Sequence, residues 1–244
     1  MTVNHALPAG GLSVKYKYYS KKYGRFSALL RYAGRHSPLL WRLIGRGVTR
    51  SYRRRWLEGE GKRRVLNLGG GGNCSDEYLT VDIDARADAY VDLTRPLPFP
   101  DECLDAIFCE EAIEHVDLAD GRRLLAECRR VLKAGGVMRI TTPDLTYFAR
   151  CVLDTGRETE INNIFYAHQH KHIYTRPSLR QCCREAGFEI LEESFYRDPD
   201  SRLGHLDTHA DRFGEPPETS QFLEIQKPSH VGPHVLDREV AGPA

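Results

Sequence analysis

The chain has 244 residues, a formal net charge of +1, 41% hydrophobic and 28% charged residues, the size and balance of one globular domain with appendages. It holds no run of about 18 apolar residues, which excludes a membrane-spanning helix, and its first residues lack the apolar core and small-residue cleavage site of a secretory leader. The seven cysteines (74, 103, 109, 128, 151, 182 and 183) form no C-x-x-C pair, so reduced cytoplasmic thiols are expected rather than a zinc site or a disulfide framework.

In chain order, residues 1–13 read as a loose tail. Residues 13–64 then carry 16 lysines and arginines against Glu58 and Glu60, a local excess of +14 hidden by the near-neutral total. An excess so local suits an anionic partner such as lipid headgroups, a charged glycan or nucleic acid. Tyr16, Tyr18, Tyr19 and Tyr23 alternate with lysines. Ser37-Pro38 pairs a cap residue with a proline at the first helical position, which predicts a helix start. Leu40, Ile44, Val48, Tyr52 and Trp56 recur every fourth residue, with Arg42, Arg46, Arg50, Arg53 and Arg54 on other faces. This predicts an amphipathic basic helix ending near Gly59-Glu60-Gly61. Its stripe is expected to pack on the core as a cap, with peripheral membrane contact as the alternative. Residues 1–63 are thus read as a basic helical N-terminal extension.

Residues 64–227 read as the main domain. Short apolar strands are predicted at 64–68, 78–82, 89–93, 104–109 and 137–141. A helix at 120–133 is expected to stop at Gly135-Gly136. After a less informative stretch, a helix through Ala186-Gly187 precedes strands at 189–195 and 220–226, the last two paired antiparallel. Strands alternating with helices make this an α/β domain with a doubly wound, mostly parallel seven-stranded sheet. Residues 228–244 read as a flexible C-terminal tail.

The stretch Val65-Leu66-Asn67-Leu68-Gly69-Gly70-Gly71-Gly72-Asn73 runs from a buried strand into four glycines, and Leu79-Thr80-Val81-Asp82-Ile83-Asp84 ends a second strand in carboxylates. A loop without Cβ atoms lets a ligand lie against the backbone, and acids at the next strand end can accept from a ribose diol. The G-x-G-x-x-G spacing fails, because its third glycine would fall on Cys74 or Ser75, and no Gly-Lys-Ser/Thr follows as in a P-loop. The loop therefore suits a nucleoside without a pyrophosphate, which points to S-adenosylmethionine (SAM) rather than a nicotinamide dinucleotide.

Four stretches together resemble a class I SAM-dependent methyltransferase, of the bacterial group often found in surface-polysaccharide or secondary-metabolite pathways. They are Leu66-Asn67-Leu68-Gly69-Gly70-Gly71; Val81-Asp82-Ile83-Asp84; Asp92-Leu93 with Leu97-Pro98-Phe99-Pro100-Asp101, Leu104-Asp105-Ala106-Ile107 and Ile113-Glu114-His115-Val116; and Arg130-Val131-Leu132-Lys133-Ala134-Gly135-Gly136. Asn67 stands where many members carry an acid. The resemblance implies a Rossmann-like fold and a SAM pocket. In it, Asn67, Gly69, Gly70 and Gly71 lie along the methionine part and Asp82 or Asp84 on the ribose. Asp92 and Leu93 flank the adenine, and Glu110 lies near the methyl group.

Candidate bases are His115, His170 and His172, since imidazole titrates near neutrality. A helix-capping role for His115 and a hinge role for His170 are the structural alternatives. His205, Asp207, His209 and Asp211 are expected to form an exposed polar loop rather than a metal site. The implied activity is O-methylation of a sugar hydroxyl in a glycan or glycolipid. The alternatives are methylation of a small secondary metabolite at O, N or C, and a noncatalytic SAM-binding protein. The acceptor is expected to be a small molecule or glycan. No dedicated RNA-binding motif is present, so nucleic acid is not the expected partner.

Overall fold

A computed structural model describes residues 12–59, 63–156, 158–214 and 216–229. Most of both predicted tails, 1–11 and 230–244, lies outside the described residues; Leu12 and Ser13 instead open a helix. Three helices precede the sheet: α1 Leu12–Tyr23, α2 Arg25–His36 and α3 Pro38–Glu58. Ser37 caps α3 by accepting the Leu40 N–H at 3.4 Å, with Pro38 following it, as the sequence predicts.

The strands are β1 Val65–Leu68, β2 Leu79–Asp82, β3 Ala89–Tyr90, β4 Leu104–Glu110, β5 Leu132–Pro143, β6 Glu189–Ser194 and β7 Ser220–Gln226. They form one seven-stranded sheet in the order β3-β2-β1-β4-β5-β7-β6. β1 to β5 run parallel, and β7 is antiparallel to both β5 and β6. The doubly wound, mostly parallel α/β fold is therefore present. Going out from β1, the chain passes to β2 on one side and later to β4 on the other. That reversal opens a crevice at the strands' carboxyl ends, where such sheets bind ligands. Helices α4 Leu118–Val131 and α7 Arg176–Glu185 cover one face. Their Leu124, Leu125, Leu179 and Cys183 bury against Leu66, Leu79, Ile107 and Met138 of the sheet. All seven cysteines are free thiols.

Several predicted elements shift. β3 is two residues long, because Asp92 turns the chain by accepting the Thr94 N–H at 3.0 Å. The helix expected to stop at Gly135-Gly136 stops at Val131, and β5 begins at once. The glycines sit instead in the irregular stretch where the β4–β5 register jumps between Leu104 and Ala106. α5 Leu145–Thr155, α6 Glu158–Tyr166 and α8 His209–Phe213 have no counterpart in the sequence reading. The buried line of α3 is Trp41, Gly45 and Thr49, one residue out of phase with the predicted stripe. Ile44, Val48, Tyr52 and Trp56 flank it half-buried, while Leu40 is exposed. Thr49 Oγ1 accepts the Tyr90 N–H at 3.1 Å, so α3 packs on the sheet edge at β3.

Part of the N-terminal charge is consumed internally. Lys22 Nζ lies 2.7 Å from Asp88, and Tyr23 donates to the same carboxylate. The buried Arg31 guanidinium donates to the Ala85, Ala87 and Asp88 carbonyls. The 205–211 segment is no exposed loop. Asp207 and His209 are buried, and Asp207 pairs with the equally buried Arg139 of β5 at 2.6 Å.

Candidate active site

A cavity of about 1010 Å³ opens at the carboxyl ends of β1, β2 and β4. Its floor is the loop after β1. Gly69 and Gly71 hold φ of +67° and +56°, a left-handed conformation that glycine adopts without strain. A Cβ on Gly69 would stand 2.4 Å from the Ala112 Cβ, so the backbone approaches the next loop as no other residue could. Gly70 does not line the cavity. It is buried over Asn67, whose Nδ2 would lie 2.2 Å from a Cβ there. Asn67 is itself buried and donates to the Asn73 carbonyl at 3.2 Å. Both Asn67 and Gly70 therefore shape the loop from beneath, a correction to their expected place in the pocket.

Asp82 and Asp84 separate cleanly. Asp82 lines the cavity and accepts the Gly71 and Asp84 N–H groups at 2.9 and 2.8 Å, tying the glycine loop to the end of β2. Burial raises its pKa, against the opposing pull of those backbone bonds. Asp84 does not line the cavity. Its carboxylate holds Arg86 at 2.6 Å, and although burial acts to raise its pKa, the Arg86 bonds outweigh that and lower it.

Asp92 and Leu93 also line the cavity, with Ile83 and Tyr90. Asp92 accepts from the Thr94 hydroxyl at 2.7 Å. Burial would raise its pKa, but the Thr94 bonds and Arg95 outweigh it and the net shift is downward. Ile83, Leu93 and Ala112 offer apolar faces for a flat base.

Glu110 is the clearest correction. Its buried carboxylate accepts the Thr208 and His209 N–H groups at 2.7 and 2.9 Å and pairs with Arg212 at 3.2 Å. It fastens β4 to the 208–213 segment and stays out of the cavity. Glu111 lines the cavity instead, at φ +50°. A non-glycine residue held there costs about 1–3 kcal/mol, and such strain gathers at functional sites. The sequence signal was the Glu110-Glu111 pair itself, whose members point opposite ways at a strand end.

His115 and His170 both line the cavity, their rings edge to face with centroids 4.7 Å apart. Burial lowers the pKa of each; for His170, burial and then His115 bring it to about 4. His172 packs on Tyr174 and does not line the cavity. Glu114, on the 3-10 turn Ile113–His115, is buried beneath them. The rim adds Arg42 and Arg46 of α3, His168, Gln169, Lys171 and Arg212, none of which the sequence reading placed here.

The methyltransferase domain family matches residues 75–140, from just past the glycine loop into β5. A Mycolicibacterium smegmatis protein named "Probable S-adenosylmethionine-dependent methyltransferase/" is 33% identical over 132 residues, covering 52% of this chain and 44% of that one. Mycobacterium tuberculosis Rv3030, also named a "Probable S-adenosylmethionine-dependent methyltransferase", is 33% identical over 97 residues, 35% of this chain and 33% of its own. The chain thus spans less than half the length of these curated relatives. Among solved structures, a SAM-dependent methyltransferase from Mesorhizobium loti aligns with TM-score 0.47 and 18% identity, covering 73% of this chain and 97% of its own. One from Archaeoglobus fulgidus aligns with TM-score 0.45 and 18% identity, covering 87% and 99%.

Proposed function

We propose that this protein is a SAM-dependent methyltransferase whose acceptor is a sugar hydroxyl of a glycan or lipid-linked saccharide. The observation that carries the reading is a single cavity holding the glycine loop, Asp82, Asp92 and the His115–His170 pair. The residues fit the donor: Gly71 leaves open space that a Cβ would enter, Gly69 lets the loop close on Ala112, and Asp82 keeps acceptor capacity for a ribose diol. Asp92 can take the adenine amine, and Ile83 and Leu93 can sandwich the ring. At about 1010 Å³ the cavity is at the top of the range of roughly 300–1,000 Å³ that holds one drug-sized ligand, leaving room for an acceptor beside the donor.

When bound, SAM would supply an electrophilic sulfonium methyl to the acceptor oxygen, with the neutral thioether as leaving group. The chain's own work is alignment and removal of the hydroxyl proton. Glu111, His115 and His170 line the cavity in which that proton must be taken up. Arg42, Arg46, His168, Gln169 and Lys171 present hydrogen-bonding groups around the rest of the opening, which suits a polyhydroxylated acceptor better than a flat apolar one.

A lipid-linked acceptor agrees with the outer face of the N-terminal helices. Phe26 of α2 and Leu39 and Leu43 of α3 are 74%, 74% and 82% exposed, among exposed arginines 25, 35, 42 and 46. Apolar side chains among basic ones favour an anionic membrane surface. Among the described residues no helix is long and apolar enough to cross a membrane.

Labelled SAM offered with free sugars, lipid-linked saccharides, phenols and amines tests the acceptor. Transfer to a saccharide hydroxyl is expected; transfer only to phenols or amines would move the protein to the small-metabolite reading. In flotation, vesicles containing anionic lipid should carry the wild type and lose Leu39→Glu/Leu43→Glu. Equal flotation of both would remove the membrane contact.

A further inference from the structure

The turn Ile113–His115 and the segment before α7 bring two imidazoles and a carboxylate to one point. One ligand atom each from Glu114, His115 and His170 lies within 4.8 Å of the other two, and His170 Nε2 is 3.9 Å from Glu114 Oε1. Atoms that share an ion at about 2.0–2.2 Å stand roughly 3–4 Å apart, so small side-chain rotations would close the set.

Packing alone leaves this cluster unsatisfied. Glu114 is fully buried, and its Oε1 has no hydrogen-bond partner, while Oε2 accepts from the Thr142 hydroxyl at 2.9 Å. A buried carboxylate oxygen left unpaired is costly. The His170 ring is 5% exposed, and its Nδ1 is also without a partner. The surroundings suit a ligand set. Thr142 fixes the carboxylate, and the Gln169 backbone bonds the His115 ring, the kind of outer contact that orients metal-binding side chains.

We propose that Glu114, His115 and His170 bind one divalent transition-metal cation, with Glu111 balancing its charge. Two imidazoles and one carboxylate suit zinc, manganese or ferrous iron and leave coordination positions open. His115, His170 and Glu111 all line the cavity, so those open positions face the acceptor. There the ion would take the acceptor's hydroxyl oxygen and weaken its O–H bond, and Glu111 would receive the proton. This last consequence rests on the methyltransferase reading; ion binding itself does not.

The full chain, stripped with chelator, is titrated with Mn²⁺ and followed by loss of the free-ion paramagnetic resonance signal, then with Zn²⁺ by calorimetry. One ion per chain is expected, with affinity weakened about tenfold or more in Glu114→Gln, His115→Asn and His170→Asn. Thermal melting followed by circular dichroism confirms that each variant is folded; His115 is the most exposed of the three, so its replacement is the mildest. Zinc should also shift the imidazole nitrogen resonances of His115 and His170, and not that of His205. Absence of a stoichiometric ion in the wild type, or wild-type affinity in any one of the folded variants, overturns the site. S-adenosylhomocysteine binding, measured on the same samples, separates the two readings. Homocysteine-nucleoside binding without an ion removes the metal site alone, and an ion without nucleoside binding removes the methyltransferase reading alone.

Discussion

Asp82 holds the glycine loop and the end of β2 together with two backbone bonds while facing the cavity. Because burial raises its pKa above the ordinary 3.8, its acceptor form is lost earlier on acidification than that of Asp92, whose pKa is lowered. S-adenosylhomocysteine affinity should therefore fall with pH through a limb that begins above 3.8. Calorimetry across a pH series should find that limb intact in Asp92→Asn and absent in Asp82→Asn. A limb that survives in Asp82→Asn would assign it elsewhere. Single residues were the hardest thing to read from sequence. Residue type placed carboxylates at the ends of β2 and β4, but a strand's phase decides which of two neighbours faces the ligand. Asp82 rather than Asp84, and Glu111 rather than Glu110, became visible only with the register.

Among the elements, α3 shows what pattern reading misses. Its start at Ser37-Pro38 was legible, because caps are local chemistry. Its buried face was not, because Gly45 and Thr49 carry no apolar side chain to count. Gly45 is buried since a Cβ there would lie 2.7 Å from the Tyr90 ring. Gly45→Leu should thus overpack the contact between α3 and β3 and cost about 1–3 kcal/mol. Gly47, exposed in the same helix with nothing within 4 Å of a Cβ, gives the contrast: Gly47→Ala should stabilise by about 0.5–1 kcal/mol. Denaturant melts of both variants check the pair, and equal effects would contradict this packing. α5 went unread for a related reason. Asp144 caps it by accepting the Thr146 N–H at 2.9 Å, and Gly156 ends it in the left-handed conformation. Both signals were in the sequence, without a regular apolar stripe between them.

Across the whole molecule, buried charges bind the peripheral segments to the sheet. Arg139 and Asp207 are completely buried and paired, and Arg139 also donates to Ser194, Ser201 and the Phe195 carbonyl. Removing one partner leaves a bare charge inside. Asp207→Ala should cost about 3–5 kcal/mol, read as a large drop in the thermal midpoint; a drop of only a degree or two would show that the pair is not closed in solution. The sequence showed His205, Asp207, His209 and Asp211 as a polar run, which reads as solvated. Its partners Arg139 and Glu110 lie far off in the chain, and only the antiparallel return through β7 brings them near. The run of parallel strands, by contrast, was legible from β1 to β5, since each is a short apolar run broken by polar turns.

The central claim is that the cavity beside the glycine loop binds the adenosine of SAM through Asp82. Titration calorimetry with S-adenosylhomocysteine tests it most directly. One site per chain is predicted for the wild type and for Asp84→Ala, whose carboxylate serves Arg86. For Asp82→Ala, loss of hydrogen bonds to a charged acceptor, worth about 1.5–3 kcal/mol, should weaken binding roughly tenfold to a hundredfold. No heat of binding in the wild type, or equal affinity in a folded Asp82→Ala variant, would contradict the account.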